Sequence, residues 1–389
     1  MEQLFIPNTM PPRTLKAAPA DLLRASLDEM LNRLPPKEKY DVAELGGLVY
    51  GPTGAAYLLL QMSARHPDLR PRGQDLLFWA KRYLDGDRGI LVLRDGRGGI
   101  LCEKLAFAAV RACVSKEQSH VRTLLEDIPP FLEPAATKDD ERFPAEWVYG
   151  RAGALYILRM VRHWVPDSAS LLDAPIYELA QRTMDMDDDG QGHWLYQGVR
   201  CLGAAHGDVG NIAQIVLSVP CMAPQLADTL RELLDLQTPE GNWLQTSKVQ
   251  AAANKGPSQV QFCHGAPGFI YALQALRPHF PHLQDRIDSA IERGRKLVWS
   301  EGLLKKEPSL CHGLFGNGLV LAKGPQREHF LAQATPEALE ESRKDDATMF
   351  EPAHYGSELS AVMGYWPSAA WAWSVCEEHE PGLILFTDV

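Results

Sequence analysis

The chain has 389 residues, an apolar content of 45% and a formal net charge of −11. That length admits two ordinary domains or one large ring or barrel, and the apolar share is enough for a sizeable core. The acidic residues are dispersed and the basic runs are short, as at Arg70-Pro71-Arg72 and Lys305-Lys306, which excludes broad electrostatic attraction to nucleic acid or an anionic membrane.

The N-terminal stretch MEQLFIPNTMPPR lacks a basic region followed by a long apolar run, so it does not read as a secretory signal. Position 2 is not the glycine that myristoylation needs. No window holds about eighteen consecutive apolar residues, so no transmembrane segment is expected. The seven cysteines are odd in number and scattered. They are expected to be reduced thiols, buried or metal-bound, in a cytoplasmic protein.

One pattern recurs along the chain: a small or apolar residue, a variable residue, Gly-x-x-Gly, then a long apolar run. The first copy is VYGPTGAAYLLL, with Gly51 and Gly54. GGILCEKLAFAAV, near residue 100, is a degraded second copy. VYGRAGALYIL (Gly150, Gly153), AHGDVGNIAQIVL (Gly207, Gly210), CHGAPGFIYAL (Gly265, Gly268) and CHGLFGNGLVLA (Gly313, Gly316) follow. The last, VMGYWPSAAWAW, keeps Gly364 but has Pro367 at the second glycine. From Gly150 to Gly313 the first glycines are separated by 57, 58 and 48 residues, and Gly51 to Gly150 spans 99, close to two such steps.

Each unit is long enough for two helices and two connections. The apolar runs after the glycines suit helices buried all round. PQLADTLRELLDLQT and DRIDSAIERGRKLVW carry apolar residues at helical spacing with charges between, and read as amphipathic outer helices. The expected fold is all-α: an α/α toroid, or double helical barrel, of seven degenerate helix-pair repeats. The whole chain 1–389 is expected to form one domain. Residues 1–40 supply an N-terminal extension and first outer helix, and the repeats occupy about 41–380. The glycines allow positive φ and close backbone approach. DMDDDGQGHW, Asp185 to Trp194, imitates the start of a calcium loop, but the closing position is Tyr196, which cannot supply a bidentate carboxylate. It reads as a turn after an outer helix.

Aligning the repeats on their first glycine gives two columns. Just before it stand Tyr50, Tyr149, His206, His264, His312 and Met363; two before it stand Val49, Val148, Ala205, Cys263, Cys311 and Val362. In a ring, equivalent positions form a circle at one mouth, so Cys263 and Cys311 are expected to be spatial neighbours. Two thiolates and an imidazole form a soft ligand set that favours one zinc ion and leaves a fourth position open. Spacing leaves the third ligand open between His264 and His312.

These motifs resemble the lanthionine synthetase C-like family. AHGDVGN is similar to its Ala-His-Gly motif, VQFCHGAPGFIYAL and LCHGLFGNGLVLA to its zinc motifs, and AEWVYGRAGALYIL to its eukaryotic branch. The resemblance implies the seven-membered toroid, with zinc held by Cys263, Cys311 and His312. It also implies addition of a thiol, with glutathione the expected one, to dehydroalanine or dehydrobutyrine in a peptide or protein. His206 matches the family's acid–base histidine, Glu146 an acidic position in the same mouth, and Lys306 a lysine used for glutathione. Leu4 stands where the eukaryotic branch often has arginine, and segment 354–367 departs from the family's glutathione-contact loop and Glu-Gly-x-x-Gly motif.

Two other functions compete. A zinc- and glutathione-binding regulatory scaffold with weak turnover fits Leu4 and the altered segment. A carbohydrate-processing toroid would need two carboxylates across the cavity, and Trp366, Trp371 and Trp373 at helical spacing are more simply core.

Overall fold

The structure, a computed structural model, describes residues 4–133, 142–247, 259–351 and 358–389. In chain order the helices are α1 (Pro19–Arg33), α2 (Pro52–Arg65), α3 (Leu76–Asp85), α4 (Glu103–Ser115), α5 (Gln118–Leu125), α6 (Pro129–Leu132), α7 (Arg151–Trp164) and α8 (Ala169–Met184). Then follow α9 (Asp208–Ser218), α10 (Ala227–Asp235), α11 (Ala266–Leu276), α12 (Gln284–Glu301), α13 (Leu314–Val320), α14 (Pro325–Gln333), α15 (Pro336–Asp345) and α16 (Tyr365–Val375). Among the described residues there are isolated β-bridges but no named strand.

Among the described residues, seven helices that follow the repeated motif form the inner ring: α2, α4, α7, α9, α11, α13 and α16. Each packs on the next, and α16 packs on α2, which closes the circle. Their sequences explain their place. In α9 every residue from Asp208 to Val216 is buried, including its few polar groups, so the helix has no face for water. The outer helices bury one stripe only. In α12, Ile287, Ala290, Ile291, Gly294, Leu297 and Val298 face inward while charged residues fill the gaps. Helices α3, α5, α8, α10, α12 and α14 back the inner helices they follow. The first outer helix, α1, packs on α16, so the chain's first helix completes the seventh pair.

The glycines work mainly by close approach. A Cβ on the second glycine of the motif would strike the carbonyl oxygen six residues earlier: Gly54 against Leu48 (2.3 Å), Gly153 against Trp147 (1.9 Å), Gly210 against Ala204 (2.1 Å), Gly268 against Phe262 (2.0 Å) and Gly316 against Leu310 (1.9 Å). The loop must fold back over the first turn of its own inner helix, and only a residue without Cβ leaves room. Positive φ, expected of the first glycines, occurs at Gly51 (93°) and Gly265 (111°); the others in that column are extended.

The degraded second repeat is held differently. Cys102 precedes α4 where other repeats place glycine, and the next residue, Glu103, is buried. Its carboxylate takes the N–H of Gly47 (2.9 Å), the hydroxyl of Thr53 (2.6 Å) and Nε of Arg88 (3.0 Å), which ties repeats one and two together. At the other end of the chain, Leu383, Ile384, Leu385 and Phe386 are fully buried. Trp147 Nε1 donates to the Leu385 carbonyl, and Arg159 of α7 and Gln214 of α9 to that of Phe386, at 3.0, 3.0 and 3.2 Å. The hydroxyls of Tyr57 and Tyr156 donate to Asp388.

The acidic stretch after α8 is a turn, as its missing twelfth carboxylate implies. Asp187, Asp188 and Asp189 accept the N–H groups of Gly192, Leu195 and Gln191 at 2.8, 2.7 and 2.9 Å, and spend their oxygens on their own loop.

Candidate active site

Cys263 and Cys311 each lie two residues ahead of the glycine that begins an inner helix, Gly265 before α11 and Gly313 before α13. The two loops are laced together: Phe262 N–H donates to the Cys311 carbonyl at 2.9 Å, and Cys311 N–H donates to that of Val362 at 2.7 Å. This brings the side chains together, and the two thiols are hydrogen-bonded to each other. That bond draws Cys263 below the usual thiol range, and the same bond together with burial drives Cys311 well above it. All seven cysteines are free thiols.

His312, the next residue, is buried, and burial pushes its imidazole down to about 4, with the charge of Lys306 acting in the same direction. It is neutral at pH 7, the state a ligand nitrogen needs. His264 is held at about 4 by burial first, then by His206 and Lys306, and its Nδ1 is buried without a hydrogen-bond partner. Among the described residues no three His, Cys, Asp or Glu side chains are drawn together as an ion would draw them. The chemistry of the donors fits zinc: two sulfurs already in contact, beside neutral imidazoles.

Next around the mouth is a histidine–carboxylate pair. His206 precedes Gly207 at the start of α9, and its Nδ1 lies 2.7 Å from Glu146 Oε2. Glu146 is 2% exposed and is itself held from below. Val148 N–H donates to Oε2 at 2.8 Å and Tyr149 N–H donates to Oε1. Both oxygens are thus acceptors, so in the neutral ring Nδ1 carries the proton and Nε2 keeps its lone pair. The Tyr196 ring stacks on His206 at 4.4 Å and 9°, with Tyr149 behind at 6.1 Å and His264 at 6.2 Å. Tyr196 comes from a tight turn closed by its bridge to Val199, with Gln197 and Gly198 at positive φ.

Lys306 is half-buried and turned inward. Its Nζ donates to Gln261 Oε1 at 2.9 Å, and Gln261 Nε2 donates to Cys263 Sγ at 3.0 Å. Leu4 runs alongside the preceding residues: its carbonyl accepts Lys305 N–H at 3.2 Å, and Phe5 bridges Leu304. Of the divergent segment 354–367, residues 354–357 lie outside the described residues. In the remainder, the Leu359 carbonyl accepts Gly51 N–H at 2.7 Å, next to the first repeat.

The structure therefore brings Cys263 to Cys311, His206 to Glu146, and Lys306 to Gln261. Sequence reasoning missed Gln261 and Tyr196. The only signal for Gln261 was its place two residues before Cys263. In the sequence, Tyr196 stands out solely as the residue that spoils the calcium loop.

The family described as lanthionine synthetase C-like protein matches residues 46–324, which include the motifs of the first six repeats. A protein of Danio rerio named glutathione S-transferase LANCL1 is 29% identical over 203 residues, 48% of this chain and 48% of that relative. The match spans about half the length of this relative. Among solved structures, nisin cyclase shares the fold, with a TM-score of 0.53 at 14% identity over 92% of this chain and 93% of that one. Among the described residues no helix is long and apolar enough to cross a membrane. The chain belongs to the lanthionine synthetase C-like family.

Proposed function

We propose that this protein adds a thiol, glutathione being the one we favour, to dehydroalanine or dehydrobutyrine residues of a peptide or protein, and that Cys263, Cys311 and His312 hold one zinc ion at the site. The sulfur forms a bond to the β-carbon, the carbon–carbon π bond breaks, and the α-carbon gains a proton. Nothing leaves, so the product is a thioether. Zinc would supply a Lewis acid that keeps a bound thiol as thiolate at neutral pH.

This chain's own residues supply the rest. Glu146 fixes His206 with the proton on Nδ1, so Nε2 is free to accept the thiol proton and return it to the α-carbon. Tyr196, stacked on one face of the imidazole, limits its rotation. Lys306 suits a carboxylate of the thiol tripeptide: an ammonium has three donors, and the bond to Gln261 uses one. The observation that carries the reading is that one mouth holds a contacting thiol pair beside a histidine already oriented by a buried carboxylate. The name of the Danio rerio relative supports glutathione as the thiol.

The test is to incubate zinc-loaded protein with glutathione and a dehydroalanine peptide and follow peptide mass. A gain of one glutathione above the uncatalysed rate is expected. With zinc bound and glutathione retained but no gain, the second reading holds: a zinc- and glutathione-binding regulatory scaffold. What favours that reading is Leu4, an apolar side chain beside the Lys305–Lys306 segment where the resembling eukaryotic proteins often carry arginine.

A further inference from the structure

Gln261 is 6% exposed and every polar atom of its amide is engaged. Lys306 Nζ lies 2.9 Å from Oε1, and Nε2 lies 3.0 Å from both Gln259 Oε1 and Cys263 Sγ. The lysine ammonium has only donors, so the amide atom facing it must be the oxygen. The NH2 end is thereby forced toward the sulfur. Its backbone is held too, since Gln261 N–H donates to the His264 carbonyl at 3.2 Å, across the turn that carries Cys263. The amide cannot flip without setting an NH2 against an ammonium and an oxygen against sulfur.

From this arrangement we infer that Gln261 is a positioning residue for the metal centre. Anchored by Lys306, it presents a fixed N–H donor to Cys263 and holds that sulfur toward Cys311. The inference rests on the zinc reading given above. Lys306 then has two tasks: it offers charge to a substrate carboxylate, and it sets the orientation of the amide that steadies a metal ligand. Outer partners of metal ligands are worth about 10–100-fold in metal affinity.

The experiment is competition for zinc against a chromophoric chelator, with wild type, Gln261→Leu, Gln261→Asn, Lys306→Met and the Gln261→Leu/Lys306→Met double variant. Gln261→Leu is expected to weaken zinc binding by about tenfold or more. Gln261→Asn, too short to reach both partners, should fall in the same direction while keeping a polar amide in the fold. Lys306→Met should weaken binding by a smaller factor, and the double variant should bind no more weakly than Gln261→Leu, because both changes break one chain of contacts. Melting of the zinc-free proteins shows whether each variant folds, with Gln261→Asn as the fallback for Gln261→Leu. Gln261 variants that bind zinc within twofold of wild type, or losses that simply add in the double variant, would overturn the inference and leave the metal centre standing. A wild type that takes up no zinc would overturn the metal centre itself, and the inference with it.

Discussion

His206 Nδ1 lies 2.7 Å from a carboxylate oxygen of Glu146, which is pinned by the N–H groups of Val148 and Tyr149 in the neighbouring repeat. One repeat thus sets the protonation pattern of a histidine carried by the next. The proposed acid–base pair is built at the junction of repeats three and four, and the proposed metal pair at the junction of repeats five and six.

Glu146→Gln keeps the side chain's size but removes an acceptor. An amide NH2 group turned toward His206 would favour the opposite tautomer, with the proton on Nε2. Thiol addition is expected to fall by about 10²–10⁴-fold in kcat, with zinc content unchanged. Steady-state kinetics beside metal analysis check this. Loss of zinc in Glu146→Gln would show that the carboxylate serves the metal instead.

The third ligand is open to direct comparison. His312→Ala should lose zinc, whereas His264→Ala should retain it, although both imidazoles are kept neutral near pH 7 by burial. Metal content of the two purified variants decides the matter. The reverse pattern would assign His264, whose Nδ1 is buried without a partner.

Gly316→Ala puts a methyl group 1.9 Å from the Leu310 carbonyl, and backbone must move to admit it. A destabilisation on the order of 3 kcal/mol is expected. Gly294→Ala on outer helix α12 meets side chains only, the tip of Ile270 at 3.2 Å and Ala266 Cβ at 3.5 Å, and gains helix propensity, so its effect should stay within about 1 kcal/mol. Urea unfolding of the pair separates a glycine required by backbone approach from one that is merely small.

Asp208 begins α9 and is paired with Arg200 at 2.8 Å, yet burial pushes its carboxyl up to about 6, with Arg200 opposing. The folded state therefore holds this proton more tightly than the unfolded chain. Stability from Asp208 is present at pH values below about 4 and is lost as pH rises through about 6, by up to about 3 kcal/mol. Asp208→Asn lacks this loss. The stability of that variant relative to wild type should rise between pH 4 and pH 6, measured by urea midpoints. A constant difference across that interval would refute the assignment.

Much of the ring is legible in the sequence because its local demands repeat. Five of the inner helices carry a glycine under the carbonyl of the loop that precedes them, and the outer helices need a single apolar stripe. Cys263 and Cys311 could be paired because equivalent positions in a ring are neighbours. The pairing of α1 with α16 has no such local mark, since it joins the two ends of the chain. Neither do the burial of Leu383–Phe386 against α7 and α9, nor the Arg88–Glu103 pair at the start of α4. Gln261 and Tyr196 escaped for a related reason. Their roles come from partners 45 and 10 residues away, Lys306 and His206, and not from any period in their own segments.

The most direct measurement is thioether formation by three proteins side by side, each with glutathione, a dehydroalanine peptide and its zinc content determined. Wild type should hold zinc and form the adduct. Cys311→Ala should do neither, and His206→Ala should keep zinc while adduct formation falls by about 10²-fold or more. Adduct formed at the wild-type rate by Cys311→Ala would contradict the proposal that thiol addition occurs at this mouth.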